Sequence, residues 1–163
     1  MKLLTLISIF ESQHFIIGEK MIDIPSGQKS SHDADMAAIH QLHEMDMAAA
    51  KIDDINTLIT LMTDDCILLP PGQEPIRGRD AIWKFMQEQL PENQKYEITE
   101  YVQQFEEVKI IGEWAYEWAT FNGIYHLKSG GPDLYERSRL FRILRRQPDS
   151  SWKVARSIWH GLP

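Results

Sequence analysis

The sequence predicts an α+β fold: a curved antiparallel sheet wrapped around about three N-terminal helices, a cone-shaped half-barrel. Two observations frame it. From Asp33 to about Met62 the apolar residues recur at helical spacing. From Tyr96 onward, four stretches rich in β-formers follow one another across tight turns. A third observation joins the halves. Residues 63–82, TDDCILLPPGQEPIRGRDAI, stack an acidic turn, a short apolar run, a proline corner and a helix start.

The first helix starts at Asp33 or Asp35, either of which suits a cap. Ile39, Leu42, Asp46, Ala49 and Ala50 share one stripe, and Met45, Ala48 and Ile52 line an adjacent one. A second short helix begins at Asp53 or Asp54, with Ile55, Leu58, Ile59 and Met62 on its apolar side, and Thr63-Asp64-Asp65 ends it. Cys66–Leu69 is too short and too abruptly bounded for a helix and reads as a buried strand. Pro70 and Pro71 cannot continue a ladder, and Gly72 and Gly78 are free to take positive φ. Asp80 places an acid near the start of a third helix, where the macrodipole favours it. Ile82, Phe85, Met86 and Gln89 form that helix's face, which ends before Pro91. Strands follow at Tyr96–Val108, Trp114–His126, Tyr135–Arg146 and Trp152–His160, separated by glycine- and proline-containing turns. Hairpin-linked strands make an antiparallel sheet, and the helices must cover one face of it. The concave space between them is a usual place for a ligand.

At 163 residues and 43% hydrophobic composition, the chain reads as one domain with a real core. Its net charge of −7 argues against nucleic acid and anionic membrane as partners. The arginines of 137–146 lie on a strand, whose alternation splits them between two faces. A single cysteine, Cys66, allows no disulfide within the chain, which fits a reducing cytoplasm. The opening MKLLTLISIF has no small-residue cleavage site after it and is too short to span a bilayer. Residues 1–32 read as a peripheral extension, mobile from Pro25, ahead of a single domain at 33–163; Met1 and Met21 both remain open as the start. His40 and His43 have poor spacing for zinc, so no metal is expected. With no G-x-G-x-x-G or phosphate-binding loop, no nucleotide cofactor is expected either.

Three motifs carry a resemblance: LLPPGQEPIRG at 68–78, GEWAYEW at 112–118 and WKVARSIWH at 152–160. Over about residues 35–162 the chain resembles the nuclear transport factor 2-like fold in its SnoaL-like branch. That resemblance implies a cone with a pocket, and a stretch at 63–82 that holds the helices against the sheet and closes one rim. It leaves activity open among isomerases, dehydratases, hydrolases, cyclases and non-catalytic binders. The ketosteroid-isomerase-like relatives carry a catalytic acid at the end of the first strand, where this chain has Leu69-Pro70. Relatives often carry Asp or Asn near the position of Ser157.

Within this frame, Asp46 falls on an apolar stripe, either as a functional acid or as half of a structural pair. Glu117 shares parity with Ala115, Ala119 and Phe121, small or apolar residues suited to a concave face, which favours that parity over the opposite one with Trp114, Tyr116 and Trp118 inward; both stay open. Arg139 shares parity with Phe141 and Ile143, which puts a guanidinium on the apolar side within reach of Glu117. Ser157 and Trp159 share a face of the last strand. The expected site is therefore Asp46 and Glu117 as catalytic acids, with Arg139, Phe121, Phe141, Ser157 and Trp159 around a small apolar or aromatic ligand. Two functions stay open: a cofactor-independent isomerase, dehydratase or cyclase, and a non-catalytic ligand-binding or dimerisation domain. Strands 114–126 and 152–160 carry large apolar residues on both parities, so a homodimer through the outer sheet face is expected.

Overall fold

The computed structural model describes residues 26–162, with side chains from residue 31 onward. Helix α1 spans Ser26–Lys51, so the chain is already helical before Asp33. The part of the expected extension up to residue 25 lies outside the described residues. Asp35 is no cap. It is buried inside α1 and accepts hydrogen bonds from Arg146 Nη2 at 2.7 Å and Trp152 Nε1 at 3.2 Å, tying the helix to one end of the sheet. Ile39, Leu42 and Ala49 face the sheet, as their spacing requires. Ile52, on the adjacent stripe, is 74% exposed, and Met45 is exposed as well; His43 and Asp35 take the flank of the buried stripe instead.

Helix α2 (Ile55–Thr60) is capped by Asp54, whose carboxylate accepts from the Thr57 amide. The chain turns at once into β1 (Met62–Leu69), so Met62 and Thr63-Asp64-Asp65 belong to a strand rather than to a helix end. After the proline corner, the short β2 (Ile76–Arg77) pairs back onto β1, and the Gly78 amide donates to the Cys66 carbonyl at 2.8 Å. Gly78 takes φ +84°, a conformation that side-chain-bearing residues rarely adopt, and leads directly into α3 (Arg79–Asn93). Arg79 pairs with Asp64 at 2.9 Å across this corner. Helix α3 runs through Pro91 and ends at Asn93. The proline lies in its last turn, where few intrahelical bonds remain to be lost.

The long strands are β3 (Tyr96–Ile111), β4 (Trp114–Leu127), β5 (Leu134–Arg146) and β6 (Trp152–Gly161). They and the first two strands form one six-stranded sheet in the order β2-β1-β6-β5-β4-β3. All pairs are antiparallel except β1 with β6, which makes the sheet mixed. Register shifts leave Thr99 and Glu106 as extra residues on β3 and Ala155 as an extra residue on β6. Such bulges bend a strand, and here they lie along a sheet that curls around α1. The core between sheet and helices includes Ile39, Leu42, Ile82, Ala115, Leu144 and Val154. Among the described residues, no helix is long and apolar enough to cross a membrane.

Candidate functional site

Residues directly opposite each other in a sheet share a face. Glu117 of β4 stands opposite Arg142 of β5, which stands opposite Ser157 of β6. This row faces α1. Glu117 is fully buried, and Arg142 and Ser157 are nearly so. Small Ala115 and Ala119 on either side of Glu117 let the helix approach. From α1, His43 and Asp46 reach down into the row.

The result is a connected polar network. His43 Nε2 donates to Glu117 Oε2 at 2.7 Å, and Arg142 Nε donates to Glu117 Oε1 at 2.6 Å. Arg142 Nη1 donates to Asp46 Oδ2 at 2.9 Å. Gln103 Nε2 reaches the same Asp46 oxygen at 3.1 Å and the Tyr101 hydroxyl at 3.4 Å. Phe105 forms an apolar floor, stacked on the His43 ring and lying under the Arg142 guanidinium. Burial alone would raise the Glu117 carboxyl. The Arg142 charge and the His43 bond outweigh it and hold the group below the ordinary glutamate value. Burial would likewise lower Arg142, but Glu117 and Asp46 outweigh it and raise the guanidinium. Burial, helped by the Asp46 charge, pushes the Tyr101 hydroxyl up to about 12, so it keeps its proton at neutral pH.

A chamber of about 250 Å³ opens beside this network. Asp46, Gln103, Arg142, Ser138 and Ser157 form its polar end, while Phe121, Leu140, Val154 and Trp159 are among its apolar walls. A wider outer chamber of about 550 Å³ continues from it under α2 and α3. The two share Leu68, Met86, Tyr101, Tyr125, Glu136 and Trp159, which form a neck. Gly123 makes this neck possible. A Cβ there would fall 2.7 Å from Phe121 Cζ and 2.9 Å from the Tyr125 hydroxyl, so both rings occupy space that only glycine leaves free.

The sequence-predicted residues separate into two groups. Asp46, Phe121, Ser157 and Trp159 line the inner chamber. Glu117 is inward but lines neither chamber; it lies behind Arg142 and acts on the cavity only through that side chain. Arg139 and Phe141 must be corrected. Arg139 is exposed and Phe141 is 42% exposed, because β5 turns Ser138, Leu140, Arg142 and Leu144 inward. The guanidinium expected of Arg139 is supplied by Arg142. His43, Tyr101, Gln103, Tyr125 and Glu136 were not anticipated. His43 did carry a signal: it lies four residues after Ile39 and three before Asp46, on the buried stripe. Among the described residues, no group of three or more His, Cys, Asp or Glu side chains is placed to hold a metal ion.

No family model matches the chain, and no curated protein matches its sequence. Solved structures do. A conserved protein from Planctomyces limnophilus is 26% identical, with a TM-score of 0.68 over 80% of this chain and 99% of that one. A ketosteroid isomerase-like protein from Erwinia carotovora atroseptica is 21% identical, with a TM-score of 0.66 over 78% and 95% of the two chains. A protein from Novosphingobium aromaticivorans described as nuclear transport factor 2-like is 18% identical, with a TM-score of 0.66 over 87% and 92%. The strand order, the curled sheet closed over helices and these matches agree: the chain has the nuclear transport factor 2-like fold.

Proposed function

We propose that the inner chamber binds a small, largely apolar molecule and acts on it by acid–base chemistry of the isomerase or dehydratase kind. One observation carries this reading. A carboxylate and a protonated phenol, Asp46 and Tyr101, meet at one Gln103 amide at the polar end of a chamber whose other walls include Phe121, Leu140, Val154 and Trp159. Among the described residues, Asp46 Oδ1 makes no hydrogen bond, while Oδ2 is held by Arg142 and Gln103. The free oxygen, Oδ1, is the acceptor for a substrate proton. The Tyr101 hydroxyl is the donor for an oxygen on which negative charge develops. Glu117 and His43 fix Arg142, and Arg142 fixes Asp46. A ketosteroid isomerase-like protein shares the fold, an analogy at the level of the fold alone.

A second reading is a binding domain without catalysis. It is favoured by Ser157, a neutral group facing the chamber where a second carboxylate would assist Asp46.

The test starts from a panel of probes. Small ring ketones and alcohols are screened by thermal shift, since a ligand of the folded state raises its melting temperature. Each hit is then incubated in deuterated water and followed by NMR for exchange at carbon. Protein-dependent exchange that disappears in Asp46→Asn, with binding retained, is the expected result. Exchange unchanged in Asp46→Asn removes Asp46 from the chemistry. Bound ligands that never exchange leave the binding-domain reading.

A further inference from the structure

The neck between the chambers has a chemistry of its own. Among the described residues, Glu136 is its one formally charged residue. Among the described residues no lysine, arginine or histidine pairs with Glu136; its hydrogen bond comes from the Tyr125 hydroxyl at 3.0 Å. Tyr101, Tyr125 and Trp159 surround the same passage. Beyond it, the outer chamber is lined by Asp53, Glu92 and Glu136 and, among the described residues, by no lysine or arginine. Glu92 is paired with Lys95, whereas among the described residues the Asp53 side chain receives only the Asn93 side-chain amide. Inside, the sole cation among the described lining residues is Arg142, already held between two carboxylates.

We propose that this neck receives an organic cation: an alkyl- or arylammonium group held among Tyr101, Tyr125 and Trp159 beside Glu136, its apolar body in the inner chamber. The proposal rests on the pocket reading above and names the ligand class that the pocket selects. Three aromatic side chains line the passage beside the exposed Glu136 carboxylate, which has no cationic partner among the described residues; ring quadrupoles and a negative charge both attract an ammonium. An anion would have to pass Asp53 and Glu136, and would meet within only Arg142, whose charge is shared by Glu117 and Asp46 although its Nη2 has no partner among the described residues. Gln103 adds an independent mark. It is nine-tenths buried, lines the inner chamber, and leaves its amide oxygen without a donor, an acceptor suited to an N–H or O–H of the ligand. The field at the neck is already negative. After burial itself, the Glu136 charge is the largest influence raising the Tyr125 hydroxyl, as the Asp46 charge is for Tyr101.

The test compares two probes of one shape and different charge: 3-hydroxyphenyltrimethylammonium and 3-tert-butylphenol, titrated calorimetrically into the full chain. The cation is expected to bind about ten-fold tighter or better. Glu136→Gln is expected to remove most of that preference and leave the phenol's affinity unchanged. Raising the ionic strength on the unsubstituted protein should weaken the cation alone, a check that does not depend on a variant's folding. If the phenol binds and the cation has no advantage, or keeps its advantage in Glu136→Gln, the cation site is overturned and the pocket reading stands. If neither probe binds, both readings fall.

Discussion

Arg142 is the residue on which the polar end of the chamber depends. It is 3% exposed, it spans Glu117 and Asp46, and its Nη2 has no partner among the described residues. Removing one partner of a buried ion pair leaves the other charge uncompensated in a poor solvent for it. Arg142→Leu should therefore destabilise the fold by about 3–5 kcal/mol in denaturant unfolding. Arg139→Leu, at an exposed position, should stay within about 0.5 kcal/mol. An equal effect of the two would mean that the network is not the buried anchor it is drawn as. The same network sets a pH dependence. The Glu117 value is lowered on folding, so its contribution is present above the ordinary glutamate value of 4.5 and is lost as pH falls through the lowered folded value. The stability gap between the unsubstituted protein and Glu117→Gln should accordingly be widest near neutral pH and narrow below about pH 4.5. A gap that grows in acid would reverse the assigned sign.

At the level of elements, the chamber depends on where strands break their alternation and on one missing side chain. On β4 the alternation is regular, and Glu117 was legible as inward from its small neighbours Ala115 and Ala119. On β5 it was not legible. Phe141 and Ile143 on one face balance Leu140 and Leu144 on the other, so hydrophobicity gives no contrast and Arg139 and Arg142 trade places easily in a reading. The bulge at Ala155 keeps Trp152 and Val154 on the same side as Ser157 and Trp159, a change of parity that period-two reasoning does not contain. The parallel pairing of β1 with β6 was also hidden, because it joins the two ends of the domain and leaves no local pattern. Gly123 shows what a single position contributes. Gly123→Ala should force Phe121 and Tyr125 out of the places they now hold. The expected cost is about 1–3 kcal/mol of stability, as for other overpacked sites. Loss of probe binding at the neck should accompany it, measured by the same titration. A variant with unchanged stability and unchanged affinity would show that the rings relax without strain and do not shape the neck.

For the molecule as a whole, the outer face of the sheet remains to be covered. Trp118, Phe141 and Ile158 stand directly opposite one another on β4, β5 and β6, at 36%, 42% and 46% exposure, and form an apolar row across three neighbouring strands. Glu107 continues that row on β3, and Arg139 and His160 stand opposite each other beside it. We propose that a second copy of the chain covers this row. The arrangement suits a two-fold partner: an apolar centre buries against itself, while a rim of both signs can pair across the axis. It also explains why large apolar residues occupy both faces of these strands, which a monomer does not need. Sedimentation equilibrium at micromolar concentration should give a dimer. Phe141→Glu, which places a charge at the centre of the row, should give a folded monomer whose chamber still binds the neck probes, because Phe141 faces away from the chamber. A monomeric unsubstituted protein at that concentration would refute the interface. A Phe141→Glu dimer would move the interface elsewhere on the surface.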